Sequence, residues 1–209
     1  MKLILFDLDG TVLDTVPDIM ACCNDTLHAF SLPPITEEET KRFVGNGAKK
    51  LVERFLKGRL DLLEEAYSLY KEKFPLYVTR TRYYPQEREV LESLKRKNKL
   101  AIVTNKPQSA ADEVVKRYLP DVPVFGQRDG FAVKPDPALT EFAIRSLGFE
   151  TKDCIFVGDG ETDIEVARNV GIPCISVLWG NRTREELFRA GGTIFVENFE
   201  ELERAIALM

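Results

Sequence analysis

Short apolar runs alternate with segments of helical periodicity over most of the chain. Strands that are apolar on both faces and are joined by helices are typical of a parallel sheet covered on both sides. The pattern therefore predicts an α/β fold built on such a sheet. The predicted strands are Leu3–Phe6, Leu100–Val103, Val122–Phe125, Ile155–Val157, Ile175–Leu178 and Thr193–Val196.

Helix start and stop signals support this pattern in the second half of the chain. Asp136 can cap a helix that has Pro137 in its first turn and ends before Gly148. A second helix is expected to begin near Glu161 and to end before Gly171. Both helices are placed where a parallel sheet needs a connection.

One long interval, from about Pro17 to Val78, contains no strand pattern. We therefore expect a small helical domain inserted after the first strand of a Rossmann-like core. The predicted core is 1–15 and 80–209, and 16–79 is the predicted cap. Because both ends of such an insert join the sheet near one edge, it can hinge as a lid. The predicted cap helices are Ile19–Phe30, Glu37–Phe43, Lys49–Lys57 and Leu60–Phe74.

Composition and charge narrow the classes of partner. The chain has 209 residues, 44% hydrophobic and 30% charged, as in an ordinary globular protein. Its net charge of −5 argues against nucleic acid, which needs a basic surface. No run approaches the roughly 18 apolar residues of a membrane span, and the first residues do not read as a secretory signal. We expect a cytoplasmic monomer or homodimer.

The cysteine and histidine content argues against a zinc site. The four cysteines form no C-x-x-C pair, and one histidine, His28, cannot complete a Cys/His set. We expect buried or half-buried thiols and a histidine on a helix surface. Mechanisms that use several histidines are excluded.

The first predicted strand ends in two acids, Asp7 and Asp9, followed by Gly10. Ligands of open α/β sheets bind beyond the carboxyl ends of the strands, and the glycine allows a sharp turn there. One carboxylate can act as nucleophile, and the second can protonate a leaving oxygen and later activate water. An acidic surface turn is the alternative.

Two further loops supply groups that can bind phosphate. Thr104 and Asn105 follow the predicted strand Leu100–Val103. Their hydroxyl and amide groups can donate hydrogen bonds to phosphoryl oxygens, although both residue types also commonly cap helices. Lys134 precedes Pro135, which favours an extended backbone there. A lysine taken alone is more often solvated, but these neighbours favour a role as a charge clamp.

A second pair of acids, Asp159 and Asp163, follows the predicted strand Ile155–Val157. Four carboxylates near one point repel one another, by roughly 4 kcal/mol for a pair about 4 Å apart at an effective dielectric near 20. Oxygen ligands without His or Cys select a hard cation, and magnesium is the usual partner of phosphate. The alternative is a helix whose N-terminal dipole favours acids.

Four motifs resemble those of the haloacid dehalogenase superfamily in order and spacing. They are Asp7-x-Asp9-Gly10-Thr11, Thr104-Asn105, Lys134-Pro135 and Gly158-Asp159-x-x-x-Asp163. The resemblance implies Asp7 as nucleophile, Asp9 as general acid/base and Lys134 as charge clamp. It also implies that Thr104 and Asn105 bind phosphate. The implied magnesium ligands are Asp7, the Asp9 backbone carbonyl and Asp159, with Asp163 supporting the metal shell.

Within the superfamily, the chain is similar to phosphoglycolate phosphatases, notably in Leu13–Ile19, Phe43–Ala48 and Val103–Pro107. The resemblance implies that Gly45, Asn46 and Gly47 form a cap loop over the small phosphate ester, where Lys49 and Lys50 can favour a carboxylate. Gly-Asn-Gly also suits a plain helix–helix turn, and Lys49 and Lys50 can be ordinary lysines on a helix surface.

Other activities stay open at this point. A pyrophosphatase, a nucleotidase or a sugar phosphomutase has the same build and differs in the leaving group. β-Phosphoglucomutases usually carry histidine where this chain has Ile19, and this difference argues against a phosphomutase. A phospho-accepting receiver domain also gathers acids, a threonine and a lysine, but it lacks both the helical insert and an acid two positions after the phosphorylated one.

Overall fold

The structure is a computed structural model that describes all 209 residues. The strands are β1 (Leu3–Phe6), β2 (Leu13–Asp14), β3 (Arg82–Tyr83), β4 (Lys99–Pro107), β5 (Val124–Gln127), β6 (Cys154–Gly158), β7 (Cys174–Val177) and β8 (Ile194–Val196). Six of them form one parallel sheet in the order β5-β4-β1-β6-β7-β8, which confirms the predicted α/β fold. All six predicted strands are present, with ends shifted by a few residues.

Ten α-helices accompany the strands. Asp136 Oδ1 accepts a hydrogen bond from the Ala138 backbone N–H at 2.9 Å, but the helix begins at Ala138 with Pro137 as its N-cap, so Asp136 lies one residue before the cap position that the sequence predicts for it. No helix combines the length and apolar character needed to cross a membrane. The helices are α1 (Val16–Ala29), α2 (Glu37–Phe43), α3 (Ala48–Phe55), α4 (Leu63–Lys73), α5 (Glu87–Lys95), α6 (Gln108–Tyr118), α7 (Ala138–Ser146), α8 (Glu161–Val170), α9 (Arg184–Arg189) and α10 (Phe199–Ala207).

The central strand β1 shows why the sheet needs cover on both faces. All four of its residues are buried. Ile4 and Phe6 belong to one hydrophobic cluster, whereas Leu3 and Leu5 belong to a second cluster. Since successive strand residues point to opposite faces, the two clusters lie on the two sides of the sheet.

Helices α1 to α4 form a block between β2 and β3, as the sequence predicts. Their shared interior includes Val52, Phe55 and Tyr70, and the last two rings lie 6.3 Å apart between centroids. The predicted helix Leu60–Phe74 is interrupted, because Leu60–Leu62 is a 3₁₀ turn and α4 begins at Leu63. The domain boundaries at 15/16 and 79/80 stay a prediction.

The two connections to this helical block lie side by side. β2 and β3 pair in a short antiparallel ribbon, which the sequence analysis missed because two residues are too few to show a period. The buried Asp18 carboxylate accepts hydrogen bonds from the backbone N–H groups of Arg80 and Thr81 and from the Thr81 hydroxyl, the last at 2.7 Å. The entry of α1 is therefore fastened to the returning chain.

The cysteine and histidine expectations are confirmed. All four thiols are free; Cys22, Cys23 and Cys154 are buried and Cys174 is half-buried. His28 is exposed near the end of α1.

Candidate active site

The candidate site lies at the carboxyl end of β1, where the strand order places β4 on one side and β6 on the other. Asp7 follows β1 directly and is 7% exposed. It lines two neighbouring cavities. The first is also lined by Asp9, Gly45, Tyr70, Thr104, Asn105 and Lys106, and the second by Asp159, Glu161, Asp163, Asn181 and Arg182. The predicted convergence of four loops at one edge is present.

Lys134 supplies fixed positive charge to this site. Its buried ammonium lies 2.6 Å from Asp163 Oδ1 and 3.0 Å from Asp7 Oδ1, and it donates to the Val103 carbonyl at 3.0 Å. Burial lowers the pKa of Lys134, but the Asp163 and Asp7 carboxylates outweigh burial and hold that pKa above its usual range. Lys134 is therefore charged at neutral pH.

Asp7 is left short of partners. Its contact with Lys134 does not have hydrogen-bond geometry, so the buried Oδ1 accepts no hydrogen bond. Burial, opposed by Lys134 and reinforced by Asp163 and Asp159, raises the pKa of Asp7 to about 7. A buried acceptor without a partner is costly, which indicates a place where a ligand completes the shell.

The residues present fit a hard divalent cation. Carboxylate oxygens of Asp7, Asp159 and Asp163 lie within 4.8 Å of one another. Burial and the charge of Asp163 raise the pKa of Asp159 to about 6, although Thr11 and Asn181 donate hydrogen bonds to it. Oxygen donors alone suit magnesium. Both Asp163 oxygens are already engaged, by Lys134 and by the Gly160 backbone N–H, which suits a supporting position.

The Asp9 side chain points away from this cluster and into the first cavity. Its Oδ1 accepts from the Thr15 hydroxyl at 2.5 Å, and Lys106 Nζ lies 2.8 Å and 3.1 Å from its two oxygens. Its backbone carbonyl faces the other way, toward Asn181 Nδ2 at 3.3 Å. This arrangement leaves the carboxylate beside the first cavity and the carbonyl beside the acidic cluster.

The end of β4 presents three consecutive side chains to the site. Thr104 pairs with Gly126, but the next pair is Pro107 with Gln127, so β4 bulges between them. In a regular strand, neighbouring side chains point to opposite faces, whereas a bulge re-aims them. Thr104, Asn105 and Lys106 are consequently all buried at the edge of one cavity.

Thr104 and Asn105 differ in the donors that they have free. The Thr104 oxygen accepts from the Lys106 backbone N–H at 3.2 Å, which leaves its hydroxyl proton available. The Asn105 amide donates to the carbonyls of Gly45 and Lys134, at 2.9 Å and 3.1 Å. Both amide hydrogens are therefore used, and one of them holds the Gly45 loop against the core.

The remaining predicted substrate-binding residues fall into two groups. Gly45 and Gly47 line the cavity that contains Asp7. Asn46 and Lys49 line a neighbouring cavity, and the Lys49 ammonium is exposed and 2.7 Å from Glu64 Oε1. The structure thus brings the loop glycines to Asp7 but does not bring Lys49 there.

Sequence reasoning missed Asn181 and Arg182, which follow β7. The Asn181 backbone N–H donates to Asp159 Oδ2 at 2.7 Å. Arg182 pairs with Glu161 at 3.0 Å and donates to the carbonyls of Lys41 and Val44 in the helical block. Their position at the carboxyl end of a strand was the signal that could have found them.

Two glycines allow this close packing around Asp159. Gly10 has φ +91°, and a Cβ there would lie 2.4 Å from Asp159 Oδ2. A Cβ on Gly180 would lie 2.2 Å from Asp159 Cβ. Any side chain at either position would displace the carboxylate or the loop that carries it.

Comparison with known proteins assigns the chain to a family. The model of haloacid dehalogenase-like hydrolases matches residues 4–177. The chain belongs to this family. It is 32% identical to phosphoglycolate phosphatase 1 of Pseudomonas aeruginosa, over 96% of this chain and 78% of that protein. It is 31% identical to the phosphoglycolate phosphatase of Mannheimia succiniciproducens, over 98% of each.

Solved structures of the family agree with the fold. A crystal structure from Lactobacillus delbrueckii subsp. bulgaricus superposes with a TM-score of 0.90 at 28% identity, covering 99% of each chain. A predicted phosphoglycolate phosphatase from Haemophilus somnus superposes with a TM-score of 0.86 at 27% identity, covering 99% of this chain and 98% of that one. The resemblance stated from the four motifs is thereby confirmed, and the chain is an enzyme of the hydrolase class.

Proposed function

We propose that this protein is a magnesium-dependent phosphatase that hydrolyses a small phosphate monoester, with phosphoglycolate favoured, through an aspartyl-phosphate on Asp7. One observation carries the proposal. Asp7 lines the cavity that also contains Asp9, Thr104 and Asn105, and it also lies beside Asp159 and Asp163 and in contact with Lys134. The names of the curated relatives support the choice of substrate. We also expect it to be cytoplasmic.

The first chemical step forms a bond between a carboxylate oxygen of Asp7 and phosphorus. The ester P–O bond breaks, and the leaving alkoxide takes a proton from Asp9, which yields the free alcohol. Phosphoryl transfer also depends on in-line positioning and on stabilising the charge of the phosphoryl oxygens, and the free Thr104 hydroxyl would bind one of them.

The second step returns the enzyme to its starting state. Asp9, now a carboxylate, accepts a proton from water as that water attacks phosphorus, and the bond to Asp7 breaks to release inorganic phosphate. Lys134 balances the charge that develops on Asp7 as this bond breaks. Magnesium held by Asp7, the Asp9 carbonyl and Asp159 would neutralise phosphoryl oxygens.

We further propose that residues 16–79 act as a cap that opens to admit substrate. The polar contacts that this opening would break lie beside the site: Asn105 with the Gly45 carbonyl, and Arg182 with the Lys41 and Val44 carbonyls. Opening would free the Asn105 amide for a phosphoryl oxygen. Closing would exclude water from the chemistry.

The decisive test replaces the nucleophile. Asp7→Asn should abolish phosphate release from phosphoglycolate while circular dichroism and thermal unfolding show an intact fold, because the amide is a far weaker nucleophile of the same shape. EDTA should stop the wild-type enzyme reversibly. Undiminished turnover by Asp7→Asn would refute the mechanism.

A screen of phosphate esters with magnesium tests the substrate. A preference of about tenfold or more for phosphoglycolate is expected. Preferred cleavage of pyrophosphate or nucleotides, or isomerisation of a sugar phosphate, would instead favour one of the related activities.

A further inference from the structure

Lys106 is the one cationic side chain among the residues that line the cavity beside Asp7 and Asp9. It is 7% exposed, and its ammonium lies 4.3 Å from the centre of the Phe74 ring, which belongs to the helical block. Its contacts with Asp9 engage a single carboxylate. A lysine ammonium has three donors, so at least one N–H has no acceptor in the chain.

A second polar group without a partner lines the same cavity. Tyr70 is 4% exposed and lines the cavity, and its hydroxyl makes no hydrogen bond within the chain. The hydroxyl oxygen itself is not fully buried, so it is free to donate to a ligand atom in this cavity. The remaining wall is largely apolar, with Ile19, Val44 and Leu51. Such a surface excludes water and strengthens any charge contact made there.

We propose that Lys106 and Tyr70 bind a carboxylate at the non-phosphate end of the substrate, so that the enzyme selects short phosphorylated carboxylic acids. This inference rests on the proposed phosphatase function and deepens it. The recognition group lies on β4 and α4 rather than at the exposed Lys49.

The reach of Lys106 fits a two-carbon acid. A general acid must lie about 3 Å from the leaving oxygen. Lys106 Nζ is 2.8 Å from the same Asp9 carboxylate, so it lies within roughly 6 Å of that oxygen. A carboxylate one carbon beyond the leaving oxygen can therefore come within hydrogen-bond distance of the ammonium.

Charge explains why a cation is needed there. An anionic leaving group would enter a cavity that already holds Asp7 and Asp9, and like charges at close range repel strongly where water is excluded. Lys106 offsets this repulsion, whereas a neutral leaving group gains nothing from it. Selectivity therefore appears as a difference between charged and neutral esters of equal length.

The experiment measures kcat/KM for phosphoglycolate and for the neutral 2-hydroxyethyl phosphate in wild type, Lys106→Met and Tyr70→Phe. The ratio of the two values should fall about 10- to 100-fold in Lys106→Met and a few-fold in Tyr70→Phe. Lys106→Arg, which keeps the charge, should retain most of the preference. Lys152→Met, a change at an exposed lysine far along the chain, is the matched control.

Equal losses on both esters would overturn the proposal, because Lys106 would then act only by holding Asp9. The same holds if Lys49→Met, not Lys106→Met, removes the preference. If Lys106→Met turns over neither ester, calorimetry can measure the binding of both esters to Asp7→Asn and to the double variant Asp7→Asn, Lys106→Met. The proposal is then overturned if the ratio of the two dissociation constants is the same in both proteins. Wild-type inactivity on every ester would instead refute the phosphatase function itself.

Discussion

Removing Lys134 should destabilise the protein more than any single surface change. Lys134→Met keeps the length of the side chain but leaves Asp7 and Asp163 without their cation, at 3.0 Å and 2.6 Å from the lost ammonium. Each contact attracts by roughly 6 kcal/mol at an effective dielectric near 20, much of which offsets desolvation. Breaking a buried ion pair costs about 3–5 kcal/mol net.

The assay is thermal unfolding at neutral pH, followed by circular dichroism with and without magnesium. For a domain of this size, about 3–5 kcal/mol corresponds to a loss of roughly 6–20 °C in Tm. Magnesium should raise the Tm of the variant by more than that of the wild type, because it supplies charge that Lys134 no longer provides. Lys152→Met controls for the loss of one charge at an exposed position. A drop below about 2 °C, or equal magnesium shifts in both proteins, would refute the electrostatic account.

Two further predictions concern Glu87 and Gly180. Glu87 is fully buried, and burial raises its pKa from 4.5 to about 8, so the folded state keeps a proton that the unfolded state loses and stability falls as pH rises between these values. Glu87→Gln should remove this dependence on pH, which lowers the free energy of unfolding by at most about 3 kcal/mol between pH 5.5 and 8. Urea unfolding at several pH values measures it, and plots of stability against pH that run parallel for the two proteins would contradict the prediction. Gly180→Ala should displace Asp159, which its Cβ would approach to 2.2 Å, and should raise the magnesium concentration for half-maximal activity about tenfold or more. Gly160→Ala, whose Cβ would meet Asp163 Oδ2 at 3.4 Å, is the matched comparison, and equal magnesium requirements in the two variants would contradict the role of Gly180.

The sheet and the meeting of the acids could be predicted because both follow from one physical constraint. Strands buried on both faces read as apolar runs, and the carboxyl ends of parallel strands share an edge. Asp7, Asp159 and Asp163 converge for that reason, and Lys134 joins them from the loop after β5. Residues at the carboxyl ends of parallel strands share this edge, so the sequence could predict their convergence without predicting individual side-chain contacts.

What escaped prediction depends on side-chain direction or on loops from other elements. Lys49 suggested a carboxylate site by its place in the chain, but its helix turns it toward Glu64. The sequence analysis did not single out Lys106, because no local pattern shows that its side chain meets Asp9, which lies 97 residues earlier in the chain. Arg182 meets the helical block across more than a hundred residues of sequence, a contact that no local pattern encodes.

The irregular end of β4 has a consequence for how such enzymes diverge. Thr104 and Lys106 line the same cavity, and only Asn105 separates them in the sequence. In the roles proposed above, Thr104 binds the phosphate and Lys106 binds the leaving group. A substitution at Lys106 would then change the preferred metabolite while the phosphate contact of Thr104 is kept.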